Sequence, residues 1–258
     1  MNPFSDALAL ENSSYSAFTE GRLVQPHTGE RAPTLHAFVH GSLRALVLND
    51  QFTCLGGKSA LRHGAYRFGF YPALGTPAAA AGLARDLFTF VSELPSFGES
   101  FSTYLASFDG PPLLDEAAFE DRLWTTLQAL HDRDAAHHAW DPSVSTDPAD
   151  PDFSYSFGGV AFFVIGLHAA SSRVTRRFAW PTLVFNPHRQ FEALRAHGGY
   201  GRFQQVIRHG EQNLQGGINP MLADHGSRSE AVQYSGRQVE GPWRCPFHAR
   251  ASDDAAAD

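Results

Sequence analysis

The sequence predicts an α+β fold: a single domain with a small mixed sheet flanked by helices, closed by an irregular Gly-rich C-terminal segment. Three observations carry this. Apolar residues recur at helical spacing in several separate stretches, with a few short β-rich runs between them. No internal repeat or regular strand–helix alternation is present. The final ~45 residues are Gly-rich, polar and without period, the signature of loops.

The elements follow in chain order. After a turn-rich segment from Gly21 to Pro33, Leu35, Phe38, Val39, Leu43 and Leu46 form a helical stripe, with Thr34 as its expected N-cap. Tyr66 to Tyr71 alternates aromatic with small or polar residues and stops at Pro72, which reads as a strand. Leu83, Leu87, Phe90, Val91 and Leu94 make a second helical stripe ended by Pro95. Asp115 opens a third, with Phe119, Leu123, Leu127 and Leu130 on one face. The Asp- and Pro-rich stretch 132–152 reads as an exposed loop carrying His137 and His138, and is the best boundary or insertion point. Val160 to Leu167 is almost wholly apolar, as in a strand buried on both faces. Thr182 to Phe185 is a further short strand. Asn186-Pro187 reads as a cap followed by Pro at the first helical position, with Phe191 and Leu194 on the buried face. Tyr200, Phe203, Val206 and Ile207 predict one more helix after Gly198-Gly199.

Composition narrows the function classes. Apolar residues make up 43% of 258, enough for a substantial core. The net charge of -7, with no basic block, argues against nucleic acid or an anionic membrane as partner. No apolar run reaches the ~18 residues of a membrane span, and the first residues lack the basic flank and apolar core of a secretory signal. The cytoplasm is therefore the expected compartment. Cys54 and Cys245 are the two cysteines, neither in zinc spacing, and both are expected as free thiols. Gly56-Gly57-Lys58-Ser59 ends like a phosphate loop, but the first glycine of that motif would fall on Gln51, so the spacing fails.

The second half holds an ordered series of polar and aromatic motifs. It runs through Phe162-Phe163-Val164, Leu167-His168 with Ala169 to Arg173, Arg176-Arg177-Phe178, and Phe185-Asn186-Pro187-His188 with Gln190-Phe191. Ile218-Asn219-Pro220-Met221-Leu222, Ser229-Glu230-Ala231, Gln233-Tyr234-Ser235-Gly236-Arg237 and Trp243-Arg244-Cys245-Pro246-Phe247 complete it. The series resembles the YqcI/YcgG family, over roughly 35–248. Cys-Pro-Phe is that family's C-terminal namesake motif. The N-terminal one, Phe-Pro-Cys, stands here as Phe52-Thr53-Cys54, with threonine replacing proline. The resemblance implies a haem protein that hydroxylates nitrogen, on a guanidino or amino group of a small, cationic, amino-acid-like substrate, using O2 or peroxide. The electron donor is unspecified, and the oligomeric state is open, a homodimer included.

Such an enzyme needs an axial donor, cations for the propionates and an apolar pocket. The absence of a C-x-x-C-H motif points to non-covalent haem b. His168, after the apolar strand, is the first candidate ligand, His188 at a helix start the second and Cys245 as thiolate the third. Arg173, Arg176 and Arg177 are the candidate propionate clamps. Glu230 could hold a substrate cation, Tyr234 could hydrogen-bond substrate or bound oxygen, and Arg237 could take a carboxylate. Each has a plainer reading: core histidine, surface ion pair, buried thiol or structural polar network. Two rivals stand beside the enzyme: a haem-binding sensor or carrier without turnover, and a non-haem metal or cofactor-free enzyme using Cys54, Cys245 and the histidines. Cys54 and Cys245 are expected close together, because their motifs are paired features of the family.

Overall fold

The computed structural model describes residues 1–98, 100–111, 114–217, 221 and 228–250. Its centre is a five-stranded sheet in the order β3-β4-β7-β6-β5. The strands are β3 (Tyr66–Tyr71), β4 (Thr103–Phe108), β5 (Tyr155–Phe157), β6 (Val160–Leu167) and β7 (Thr182–Pro187). β3 and β4 run parallel and the other pairs antiparallel, so the sheet is mixed as expected. A small hairpin, β1 (Ala17–Thr19) and β2 (Arg22–Val24), touches β3 through a Ser16–Phe68 bridge, after the short helix α1 (Ala7–Glu11).

Strand periodicity gives the sheet two different faces. Tyr104, Ala106 and Phe108 of β4, Phe162 and Val164 of β6, and Leu183 and Phe185 of β7 point to one side. There they pack against α4 (Pro77–Glu93) and α5 (Glu116–Asp134). Thr76 caps α4 through Ala79 N at 3.3 Å, and Asp115 caps α5 through Ala118 N at 2.7 Å, as the sequence predicts for Asp115. Phe119, Leu123, Leu127 and Leu130 of α5 are all buried. The other face carries Tyr66, Phe68, Phe70, Leu105 and Leu167 against α2 (Thr34–Leu48) and α3 (Leu55–His63).

The structure corrects several expectations. Helix α2 buries Val39, His40, Leu43 and Val47, whereas Leu35 and Phe38 are 46% and 62% exposed. The buried row is thus narrower than the apolar stripe and includes a histidine, whose Nε2 lies 2.8 Å from Tyr66 Oη. Pro33, not Thr34, is the N-cap residue. Asn186 and Pro187 do not start a helix: they pair with Phe163 and Phe162 as the end of β7. Helix α6 (Arg189–Ala196) begins only after His188. The 132–152 stretch is helical through Asp134, and its remainder is the expected exposed loop, with no buried residue from 135 to 152, although two of its side chains pack on the body. His138 stacks on Phe88 and bonds Asp134 at 2.7 Å, and Trp140 packs beside Phe153, Tyr155 and Phe247.

Candidate functional site

On the α2/α3 side, the sheet extends past these helices, and the uncovered part of β6 becomes the floor of a cleft. Phe163, Ile165 and Leu167 alternate onto that floor. Helices α6 and α7 (Tyr200–Gln215) form the opposite wall with Phe191, Tyr200, Phe203 and Ile207. Phe101 stacks on Phe203 with ring centres 5.6 Å apart, closing one side. The first turn of α3 (Cys54, Gly56, Gly57), Arg176 and the segment from Arg228 to Gln233 complete the rim. The enclosed space is about 230 Å³. No side chain of α6 or α7 is fully buried.

Among the ionisable residues that line this space, Glu230 and Arg176 are both held by one buried tyrosine. Strand β5 is short, so β6 is unpaired beyond Phe162, and the C-terminal segment runs along its free edge. Gly166 N donates to Tyr234 O at 2.7 Å, an approach that needs glycine: a Cβ on Gly166 would lie 2.5 Å from the Phe119 ring and 3.0 Å from Tyr234 O. The same carbonyl accepts from Arg176 Nη1 at 3.0 Å, while Tyr234 Oη donates to Glu230 Oε1 at 2.6 Å. Ser154 Oγ donates to the same Oε1 at 2.8 Å. Gly236 has φ +83°, and a Cβ there would come within 2.6 Å of Arg176 Cδ, so the glycine makes room for the guanidinium. Burial pushes the Glu230 carboxyl up to about 8 and the Arg176 guanidinium down to about 10. At neutral pH the first is mostly neutral and the second remains a cation.

The predicted residues therefore divide. Glu230, Arg176 and His188 line the cleft. His168 does not: directly after β6 it lies on the α5 side, 2% exposed, with its ring stacked 4.3 Å from Phe119. Neither of its nitrogens makes a well-formed hydrogen bond among the described residues, although the Leu114 backbone is close enough to favour the charged form. Burial dominates and lowers its pKa. Arg173 is tied to Glu211 Oε2 at 2.6 Å, and Arg177 donates to Ser171 O at 2.7 Å. Tyr234 is fully buried and positions Glu230 from behind instead of meeting a substrate. Arg237 donates from Nε to Glu120 Oε2 of α5 at 2.7 Å, outside the cleft.

The two cysteines are also separated. Cys54 is on the cleft rim as the N-cap of α3, its sulfur accepting from Gly57 N at 3.4 Å. Thr53, in the place of the family proline, packs where a Cβ on Gly210 of α7 would lie 2.8 Å from its methyl group. Cys245 instead packs against the α4/α5 core, where burial pushes its thiol up to about 12. Cys245 does not line the cleft that Cys54 borders, so the two thiols do not share that site. Of Ile218 to Leu222, only Met221 lies within the described residues.

Sequence reading missed Phe101 and gave no site role to the other wall aromatics or to Gln190, whose Oε1 accepts from Ser102 N at 2.9 Å at the cleft edge. The helical stripe Tyr200, Phe203, Ile207 was visible, but a stripe facing a cleft has the same period as one facing a core. Among the described residues, no three His, Cys, Asp or Glu side chains converge as a metal-binding group. The cleft's chemistry suits haem: an imidazole in His188, a guanidinium in Arg176 and aromatic walls. Its enclosed space is that of a small ligand, below the ~300 Å³ at which typical pockets begin.

A mixed sheet and a helical hairpin facing each other across a cleft, with a carboxyl and a guanidinium fixed by one tyrosine, define the chain as an α+β domain. The chain belongs to the YqcI/YcgG family, which matches residues 43–248. It is 27% identical over 207 residues to the "Uncharacterized protein YqcI" of Bacillus subtilis (strain 168), covering 77% of this chain and 81% of that protein. No solved structure matches the chain. Among the described residues, no helix is long and apolar enough to cross a membrane.

Proposed function

We propose that the chain is a cytoplasmic haem-dependent N-oxygenase acting on a guanidino or amino nitrogen of a small amino-acid-like substrate. The observation that carries this is the pairing of Glu230 and Arg176 on one apolar-walled cleft that also contains His188. With His168 and Cys245 outside the cleft, His188 becomes the axial donor and Arg176 a cation available to carboxylates. Haem b, when bound, supplies activation of O2 or peroxide and delivers one oxygen atom. The protein's own part is to hold the substrate. Glu230 receives the cationic end, Arg176 takes a carboxylate in the role sequence reading gave to Arg237, and the aromatic walls exclude water. Two opposite anchors fix which nitrogen is presented, where orientation contributes most to rate.

The test is spectroscopic first. Haem titrated into the purified chain should give a Soret band that His188→Ala loses and His168→Ala keeps. With reductant, oxygen and an arginine-like substrate, mass analysis should find a product one oxygen heavier, and Glu230→Gln should slow its formation without altering the spectrum. Haem binding with no oxygen consumption would make the protein a carrier or sensor. No spectral change on titration would end the haem reading.

A further inference from the structure

We propose that the cleft binds its cation in exchange for a proton held on Glu230, so that cation binding and proton release are one event. This rests on the reading of Glu230 as the cation anchor and adds how that anchor is charged. The geometry is specific. Both hydroxyl donors, Ser154 Oγ and Tyr234 Oη, converge on Oε1, and neither donates to Oε2. Among the described residues Oε2 accepts no hydrogen bond, and Glu230 lines the cleft. Among the described residues no cation stands within salt-bridge distance of Glu230.

Several of the other charged groups of the cleft among the described residues are already bonded. Arg195 of α6 is the cation whose field reaches Glu230, and it is bonded to Glu192. Arg176 is held by the Tyr234 carbonyl, and Glu211 of α7 is tied to Arg173. His188, Arg208 and Arg228 line other parts of the cleft. A carboxyl beside aromatic walls, with no cation in salt-bridge distance among the described residues, holds its proton, because desolvation outweighs the two hydrogen bonds from Ser154 and Tyr234. A guanidinium seated against Oε2 replaces that proton as the positive partner, and the proton leaves to solvent. Charge in the cleft is then unchanged on binding, which avoids placing an uncompensated ion in an apolar space.

The experiment is calorimetry on the full chain, with agmatine and L-arginine as probes, in phosphate and in bis-Tris at pH 6.5 and in borate and in CHES at pH 9. The dependence of heat on buffer gives the protons exchanged. The expected result is close to one proton released per ligand at pH 6.5 and close to none at pH 9. Affinity should rise about tenfold per pH unit below pH 8, as linkage requires. In Glu230→Gln both the release and the pH dependence should vanish. Binding at pH 6.5 without proton release, or release surviving in Glu230→Gln, overturns the proposal while leaving the cleft as a cation site. No binding of either probe at any pH overturns the anchor reading itself. The wild-type comparison at two pH values decides the question even if the variant does not fold.

Discussion

The two cysteine motifs are near mirror images in sequence and sit in opposite surroundings. Phe52-Thr53-Cys54 leads into a helix whose first turn borders the cleft, and its cysteine is there as a cap. Cys245-Pro246-Phe247 works through its phenylalanine. Phe247 is 1% exposed among Trp124, His131, Trp140, Phe153 and Tyr155, and seals the last stretch of chain onto α5 and β5. One motif shapes a site and the other closes a core. The same division holds within β6, whose odd residues face the cleft and whose even residues face the packed side. A shared motif vocabulary thus does not mean a shared place.

Substitutions can break this contrast, beginning with the packed side. Phe247→Ala should cost about 3–5 kcal/mol, seen as a lower urea midpoint, because it empties a position ringed by aromatic side chains. Per folded molecule, cation binding should persist; if stability is unchanged, Phe247 is no anchor. Gly236→Ala forces a side chain into φ +83° and against Arg176, and should cost about 1–3 kcal/mol. Its sharper readout is selective: affinity for arginine should fall more than affinity for agmatine, which lacks the carboxylate that Arg176 receives. Equal losses for both ligands would detach Arg176 from that role. His168→Leu should leave stability unchanged or raise it by up to about 1 kcal/mol, since it removes buried nitrogens without good partners. A large destabilisation would mean that His168 has a partner on the packed side. The smallest effect concerns the thiols. Both should react slowly with iodoacetamide at pH 7, because burial raises each thiol's pKa, and a cleft ligand should slow Cys54 further without touching Cys245.

Much of this architecture was legible because local chemistry and tertiary structure agreed. Asp115 caps the helix it announces, and the Phe119 to Leu130 stripe is the buried one. Where they disagreed, pairing prevailed. Asn186-Pro187 carries a helix-start signal, yet its register with Phe163 and Phe162 keeps it in the sheet. Strand β4 left no clear trace because its centre, Leu-Ala-Ser, lacks β-branched residues, although all six positions are buried. For the site, Glu230, Arg176 and His188 were among the residues singled out, but their neighbours there were not readable. Arg237 meets Glu120, 117 positions away, and no local pattern reports such a contact. Strand parity could have set His168 apart, since it shares the side of Phe162 and Val164.

The C-terminal clasp on α5 has a consequence for synthesis. Gln128 bonds the backbone of His248, 120 positions further along, and Ser235 bonds Glu120 across 115. At ribosomal rates of about 5–20 residues per second, α5 waits roughly 6–24 s for these partners to be made. During that interval Trp124 lacks Tyr234, Trp243 and Phe247, and the free edge of β6 lacks its cover. The nascent chain therefore presents an aromatic surface and an open strand edge until the segment 234–248 has been made, and a chaperone that binds such surfaces has its window there.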